Sequence, residues 1–217
     1  MTDPAASPDA APARRLDAVR EWAVGTLAAA GVPNPEVDAE LLVGHVLGIS
    51  RGQVQARSIG GSELGLEDYL AVATAVERRA AREPLQHITG RAPFRHLELA
   101  VGPGVFVPRP ETELAAQLAI DALLEVPHPE PRALDLGTGS GAIAISLATE
   151  VSHASVVAVE ASPAAFIWAK QNARELAGEN LRLVFGDLAE VLPDAAESFD
   201  VVVSNPPRLR RRFSKRL

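Results

Sequence analysis

The stretch LDLGTGSGAIAI, Leu134 to Ile145, constrains this chain more than any other. An apolar run ends in three alternating glycines, Gly137, Gly139 and Gly141, and a helix-forming run follows at once. Glycine at such a junction lets the backbone turn sharply and lets a ligand approach the main chain closely. The alternation then continues. RALDLG, ASVVAVE, LRLVFGD and FDVVVSN read as strands, and SGAIAISLATE and SPAAFIWAKQNARELAG as helices. The second helix is well marked, with Ser162 as N-cap, Pro163 at its first position and Gly178 as its stop. Apolar strands alternating with helices predict an α/β fold, a parallel sheet covered on both faces.

Glu160 ends the second of these strands, 19 residues after Gly141. A carboxylate there can accept both hydroxyls of a ribose, so loop and acid together predict a nucleoside-cofactor site at the carboxyl edge of the sheet. GTGSGA also fits the dinucleotide fingerprint, which keeps NAD as an alternative. Asp135 gives D-x-G-x-G-x-G, a pattern that resembles the first motif of S-adenosylmethionine-dependent methyltransferases. Asp187, in GDL after the third strand, stands where such enzymes place an acid near the adenine amine.

The first part of the chain has another character. Residues 14 to about 82 read as helical, with Leu16, Val19, Ala23 and Leu27 at helical spacing and further helices over PEVDAELLVGHVLG and LEDYLAVATAVERRAA. Nothing there looks catalytic. Between residues 84 and 110, LQHI and FRHLELAV flank TGRAP and predict a hairpin. The expected division is a disordered tail over 1–13, a helical domain over 14–83 and a hairpin linker over 84–110. A catalytic domain over 111–207 and an atypical basic tail over 208–217 complete it.

Composition narrows the function classes. The chain has no cysteine, so disulfides, thiolate metal sites and a cysteine nucleophile are excluded. The five histidines, at 45, 87, 96, 128 and 153, have no ligand spacing, and no metal is expected. No apolar run approaches the roughly 20 residues of a membrane span, and the N-terminus lacks the apolar core of a signal peptide, so a cytoplasmic protein is expected. The net charge is −7. The last ten residues hold six of the 21 basic groups and no acid, which leaves residues 1–207 with 15 basic against 28 acidic groups, or −13. Such a body is a poor general binder of nucleic acid phosphates.

Asn205-Pro206-Pro207 follows the fourth strand, on the same edge as the glycine loop. A planar amino or amide nitrogen is a weak nucleophile because its lone pair is delocalised. The Asn205 side-chain oxygen and the Pro206 carbonyl can each accept one N–H, and Pro207 removes a competing donor. Gripping both hydrogens aims the lone pair at a sulfonium methyl, so the rate gain comes mainly from positioning. The bland alternative is a turn.

These segments resemble the HemK/PrmC family, which methylates the side-chain amide nitrogen of the glutamine in the Gly-Gly-Gln motif of bacterial peptide chain release factors. The resemblance covers EPLQHITGRAPFRHLEL, PGVFVPRPETE, LDLGTGSGAIAISLA, VVAVEASPAA, FGDLAEVLP and FDVVVSNPP. VPRPETE is distinctive of the family. The resemblance implies a Rossmann-like methyltransferase domain behind a small helical domain that helps hold the release factor, and S-adenosylmethionine as cofactor. It places Asp135, Gly137, Thr138, Gly139, Ser140, Gly141, Glu160, Asp187, Leu188 and Asn205 at the cofactor. Asn205 and Pro206 are the catalytic pair, and Asn205, Pro206, Pro207 and Arg208 face the substrate glutamine.

The family motif is Asn-Pro-Pro-Tyr, and Arg208 stands where its aromatic residue should be. The family also continues for several dozen residues with three further strands, in sheet order 3-2-1-4-5-7-6, whereas RLRRRFSKRL ends this chain. The expectation is an incomplete sheet of strands 1–4, its reading frame lost at or just after Pro207, poorly soluble and weak or inactive in methyl transfer. The complete form is expected to be a monomer. The alternatives are a nucleic-acid base N-methyltransferase, against which the acidic body argues, a non-catalytic fragment binding a partner through its helical domain, and an RNA-binding role for the basic tail.

Overall fold

The computed structural model describes residues 14–187 and 199–206. They form two compact units that part between Thr89 and Gly90.

The first unit is helical: α1 (Leu16–Ala29), α2 (Pro35–Leu47), α3 (Arg51–Ile59), α4 (Leu66–Ala80) and the short α5 (Leu85–Thr89). Leu16, Val19, Ala23 and Leu27 form the buried stripe of α1, packing with Leu42, Val43, Val54, Val72 and Val76. Burial of such a stripe stabilises a helix that propensity alone would leave marginal. The helix α3 has no counterpart in the sequence reading above. It starts on a capping box, in which Ser50 Oγ accepts from Gln53 N at 3.3 Å and Gln53 Oε1 accepts from Ser50 N at 2.9 Å. Under these helices Glu40 is buried, and it accepts from Arg20, Arg51 and Gln55.

The predicted hairpin exists but is shifted. LQHI is the helix α5, because the Pro84 carbonyl takes the His87 and Ile88 amides. The strands are β1 (Arg91–Phe94) and β2 (Leu97–Ala100), antiparallel with Arg91 opposite Ala100. Arg95 in the turn has φ +53, a conformation rare for a branched or long side chain. Its partners hold it there: the guanidinium meets both Glu150 oxygens at 2.6 and 2.7 Å and Gln117 at 2.8 Å, while its amide donates to Glu113 Oε1.

The helix α6 (Pro110–Glu125) leads into a four-stranded parallel sheet of β3 (Arg132–Leu136), β4 (Ser155–Glu160), β5 (Leu181–Phe185) and β6 (Val201–Ser204), with α7 (Ala142–Glu150) after β3 and α8 (Pro163–Leu176) after β4. The order is β5-β4-β3-β6, the predicted order of the first four strands, and the chain reverses direction across the sheet between β3 and β6. Residues of α6, α7 and α8 pack with Ala133, Val156 and Ala158 on one face. The other face carries a smaller cluster of Leu134, Val157 and Val159 with Leu136, Val184 and Phe199, to which no helix contributes among the described residues. Cover on both faces was expected, so the described residues show one covered face. At the edge of the described sheet, Val202 is 58% exposed. No described helix is long and apolar enough to cross a membrane.

Candidate active site

All four sheet strands are parallel, so Leu136, Glu160, Phe185 and Ser204 end on one edge. The glycine loop occupies its middle. Gly137, Gly139 and Gly141 all have positive φ, of +73, +62 and +87. The loop folds back on β4, since the Gly137 and Thr138 amides both donate to the Val159 carbonyl. Gly141 opens α7, where a Cβ would lie 2.9 Å from Ile145 Cδ1, so the third glycine serves close packing. Gly139 differs: a Cβ there would meet nothing within 4 Å. Its bare backbone therefore borders open space, the kind of cradle a nucleoside cofactor needs.

Glu160 is joined to this loop directly. One carboxylate oxygen accepts from Gly139 N and the other from Ser162 N, both at 2.8 Å. Each oxygen keeps a further lone pair, so the group can still accept from hydroxyls. Asp135 lies beneath the loop, 1% exposed, and its Oδ2 accepts from the Thr138 hydroxyl at 2.7 Å. Burial pushes its carboxyl up to about 6, against the Thr138 and Ala144 hydrogen bonds that favour the charged form and with a smaller push from the Glu160 charge. Thr138 and Ser140 are buried within the loop, and Asp187 is exposed just past β5.

Asn205 and Pro206 come to the same place. Ser204 pairs with Leu136 in register, and its hydroxyl donates to the Leu136 carbonyl at 2.9 Å. A Cβ at Gly137 would sit 3.8 Å from Pro206 Cβ, in van der Waals contact. The first glycine and the Asn-Pro turn are thus neighbours across the point where the sheet order reverses, where open α/β sheets bind ligands. Leu188, Pro207 and Arg208 lie outside the described residues. Among the described residues no group of three His, Asp or Glu could hold a metal ion.

Two polar residues of this region carried no expected role. Asn172 on α8 is fully buried, and its side chain accepts from Ala100 N while donating to the Ala100 and Ser140 carbonyls at 2.7–3.0 Å. It ties the hairpin to the glycine loop. Its signal was positional: Ala165, Ala169 and Asn172 lie at helical spacing on the buried stripe of α8. Thr112, inside VPRPETE, accepts a 2.7 Å bond from Asn205 Nδ2.

Residues 18–90 match the PrmC N-terminal domain, and residues 96–214 match the methyltransferase small domain. The chain is 49% identical over 181 residues to the release factor glutamine methyltransferase of Streptomyces coelicolor, covering 83% of this chain and 61% of that one. It is 44% identical over 201 residues to the protein of that name in Mycolicibacterium smegmatis, at 89% and 66%, and 43% identical over 187 residues to that of Bifidobacterium longum, at 82% and 64%. The chain therefore spans somewhat under two thirds of the length of these curated relatives.

Proposed function

Because this chain belongs to the methyltransferase small domain family and carries a PrmC N-terminal domain ahead of it, we propose that it is built to methylate the side-chain amide nitrogen of the Gly-Gly-Gln glutamine in peptide chain release factors, with S-adenosylmethionine as methyl donor. The observation that carries this reading is the closeness of the loop to the Asn-Pro turn, where a Cβ at Gly137 would lie 3.8 Å from Pro206 Cβ. It sets an amide-gripping pair beside a nucleoside cradle on one sheet edge. S-adenosylmethionine, when held there, supplies an electrophilic methyl group.

The residues divide the work by position. Gly139 leaves room for the cofactor against the main chain, and Gly137 and Gly141 give the loop its shape. Glu160 accepts from the ribose hydroxyls while its bonds to Gly139 and Ser162 keep the loop in register. Asp187 stands past β5 on the adenine side. Asp135 lies under the loop and Thr138 and Ser140 are buried within it, where they act on its shape. Asn205 Oδ1 and the Pro206 carbonyl accept the two hydrogens of the glutamine amide and leave its lone pair facing the methyl. Pro207, Leu188 and Arg208 complete the set by sequence position. The helical unit presents the release factor.

The test is a methylation assay with labelled S-adenosylmethionine and a purified bacterial release factor, followed by mass spectrometry of the Gly-Gly-Gln peptide. Weak label on that glutamine, lost with Asn205→Ala, is the expected result for this chain. Saturable binding of NAD in preference to S-adenosylmethionine would sink the reading.

A further inference from the structure

A carboxamide has two ends of similar shape and opposite hydrogen-bonding sense, one accepting and one donating. Only one orientation of Asn205 can grip an amide N–H, the one with Oδ1 facing the substrate. Asn205 lies just past the last described strand residue and is exposed, so its own backbone does not fix its side chain. A bond from far along the chain does. Asn205 Nδ2 donates to Thr112 Oγ1 at 2.7 Å, across 93 positions of sequence.

Thr112 is well placed to be an anchor. It sits in the first turn of α6, where Pro110 has its φ fixed by its ring and the Thr112 amide donates to the Arg109 carbonyl at 2.9 Å. Threonine in a helix divides between two main rotamers, and the one Thr112 adopts sets its Oγ1 2.7 Å from Asn205 Nδ2. The residue is half-buried, while the Asn205 end of the pair is exposed.

We propose that Thr112 is a positioning residue: by taking the Asn205 Nδ2 hydrogen it turns Asn205 Oδ1 toward the amide to be methylated. The consequence for turnover rests on the glutamine methyltransferase reading, whereas the hold on Asn205 does not.

The experiment uses the whole chain and three variants, Thr112→Val, Thr112→Ser and, should valine impair folding by circular dichroism, Thr112→Ala. One measurement follows the assigned Asn205 side-chain ¹⁵N–H₂ resonances and their exchange with solvent. The other follows methyl transfer to a saturating release factor over a range of S-adenosylmethionine concentrations. Valine keeps the shape and removes the oxygen. It should shift the Asn205 signals, speed their exchange and lower kcat about tenfold, the size of one lost hydrogen bond, with the KM for S-adenosylmethionine within about twofold. Serine restores the oxygen and should recover most of both. Unchanged Asn205 signals and kcat in the valine variant overturn the proposal, as does a loss that serine fails to recover. If the wild-type chain transfers no methyl, the function reading fails. The resonances then decide alone: a shift with valine and recovery with serine uphold the hold, and no shift overturns it.

Discussion

At Asp135 burial and hydrogen bonding pull in opposite directions, and burial wins. The folded carboxyl titrates near 6 against an ordinary value of 3.8. As pH rises from about 4 to about 6 the unfolded chain ionises first, so this group lowers stability through that window and changes nothing above it. Carbon-detected titration of the Asp135 carboxyl should give a midpoint near 6. A midpoint at 4 or below would mean that Thr138 and Ala144 outweigh burial. At this scale the sequence told where acids lie and not what they touch. Spacing put Glu160 at a strand end beside the glycines. Its bonds to the Gly139 and Ser162 amides depend on how the loop folds back on β4, which spacing does not encode. Likewise VPRPETE was recognisable as a motif, while the use of Thr112 needed a residue 93 positions away.

Elements were more legible where one local rule sufficed. The start of α8 has its N-cap Ser162 accepting from Ala165 N and Pro163 at its first position, both readable in the sequence. Its end also falls where Gly178 put it: the helix stops at Leu176, Ala177 is an extended C-cap and Gly178 is the next residue, although without the left-handed φ that often marks such a glycine. The short α3 was missed although Ser50-x-x-Gln53 is a capping box, because its nine residues are mostly polar and its buried residues are Val54 and the polar Ser58. LQHI looked like a strand since four apolar-flanked residues do not distinguish the two periods. Asn172 shows what one buried polar residue does for the packing of elements. Asn172→Ala would leave Ala100 N–H, Ala100 C=O and Ser140 C=O buried without partners, and each such group costs about 1–3 kcal/mol. The second unit should lose about 3 kcal/mol or more in urea unfolding, while Gln171→Ala on the exposed side should change it by about 0.5 kcal/mol at most. A loss below about 1 kcal/mol for Asn172→Ala would show that water or backbone movement satisfies these groups.

Among the described residues the larger cores are one in the helical unit and one on the helix-covered face of the sheet, with a smaller cluster on the other face. Periodicity foretold both, since each is built from stripes that single elements display. The polar centre of the first core was not foretold. Glu40 is pushed up by burial, but Arg51, Gln55 and Arg20 outweigh that and hold its carboxyl below the ordinary 4.5. Its contribution is full above about 4.5 and is lost as pH falls through the lowered folded value. Glu40→Gln should therefore destabilise the helical unit at pH 7 by about 1–3 kcal/mol, and the gap to wild type should narrow toward pH 3. Urea midpoints at the two pH values measure it, and a gap independent of pH would assign the loss to packing. In the second unit the side chain of Asn172 acts as a rivet between two parts that carry different loads. A displacement of β2 reaches the Ser140 carbonyl through one stiff amide, with no slack segment to absorb it. Ordering of the hairpin therefore bears on the glycine loop through this one side chain.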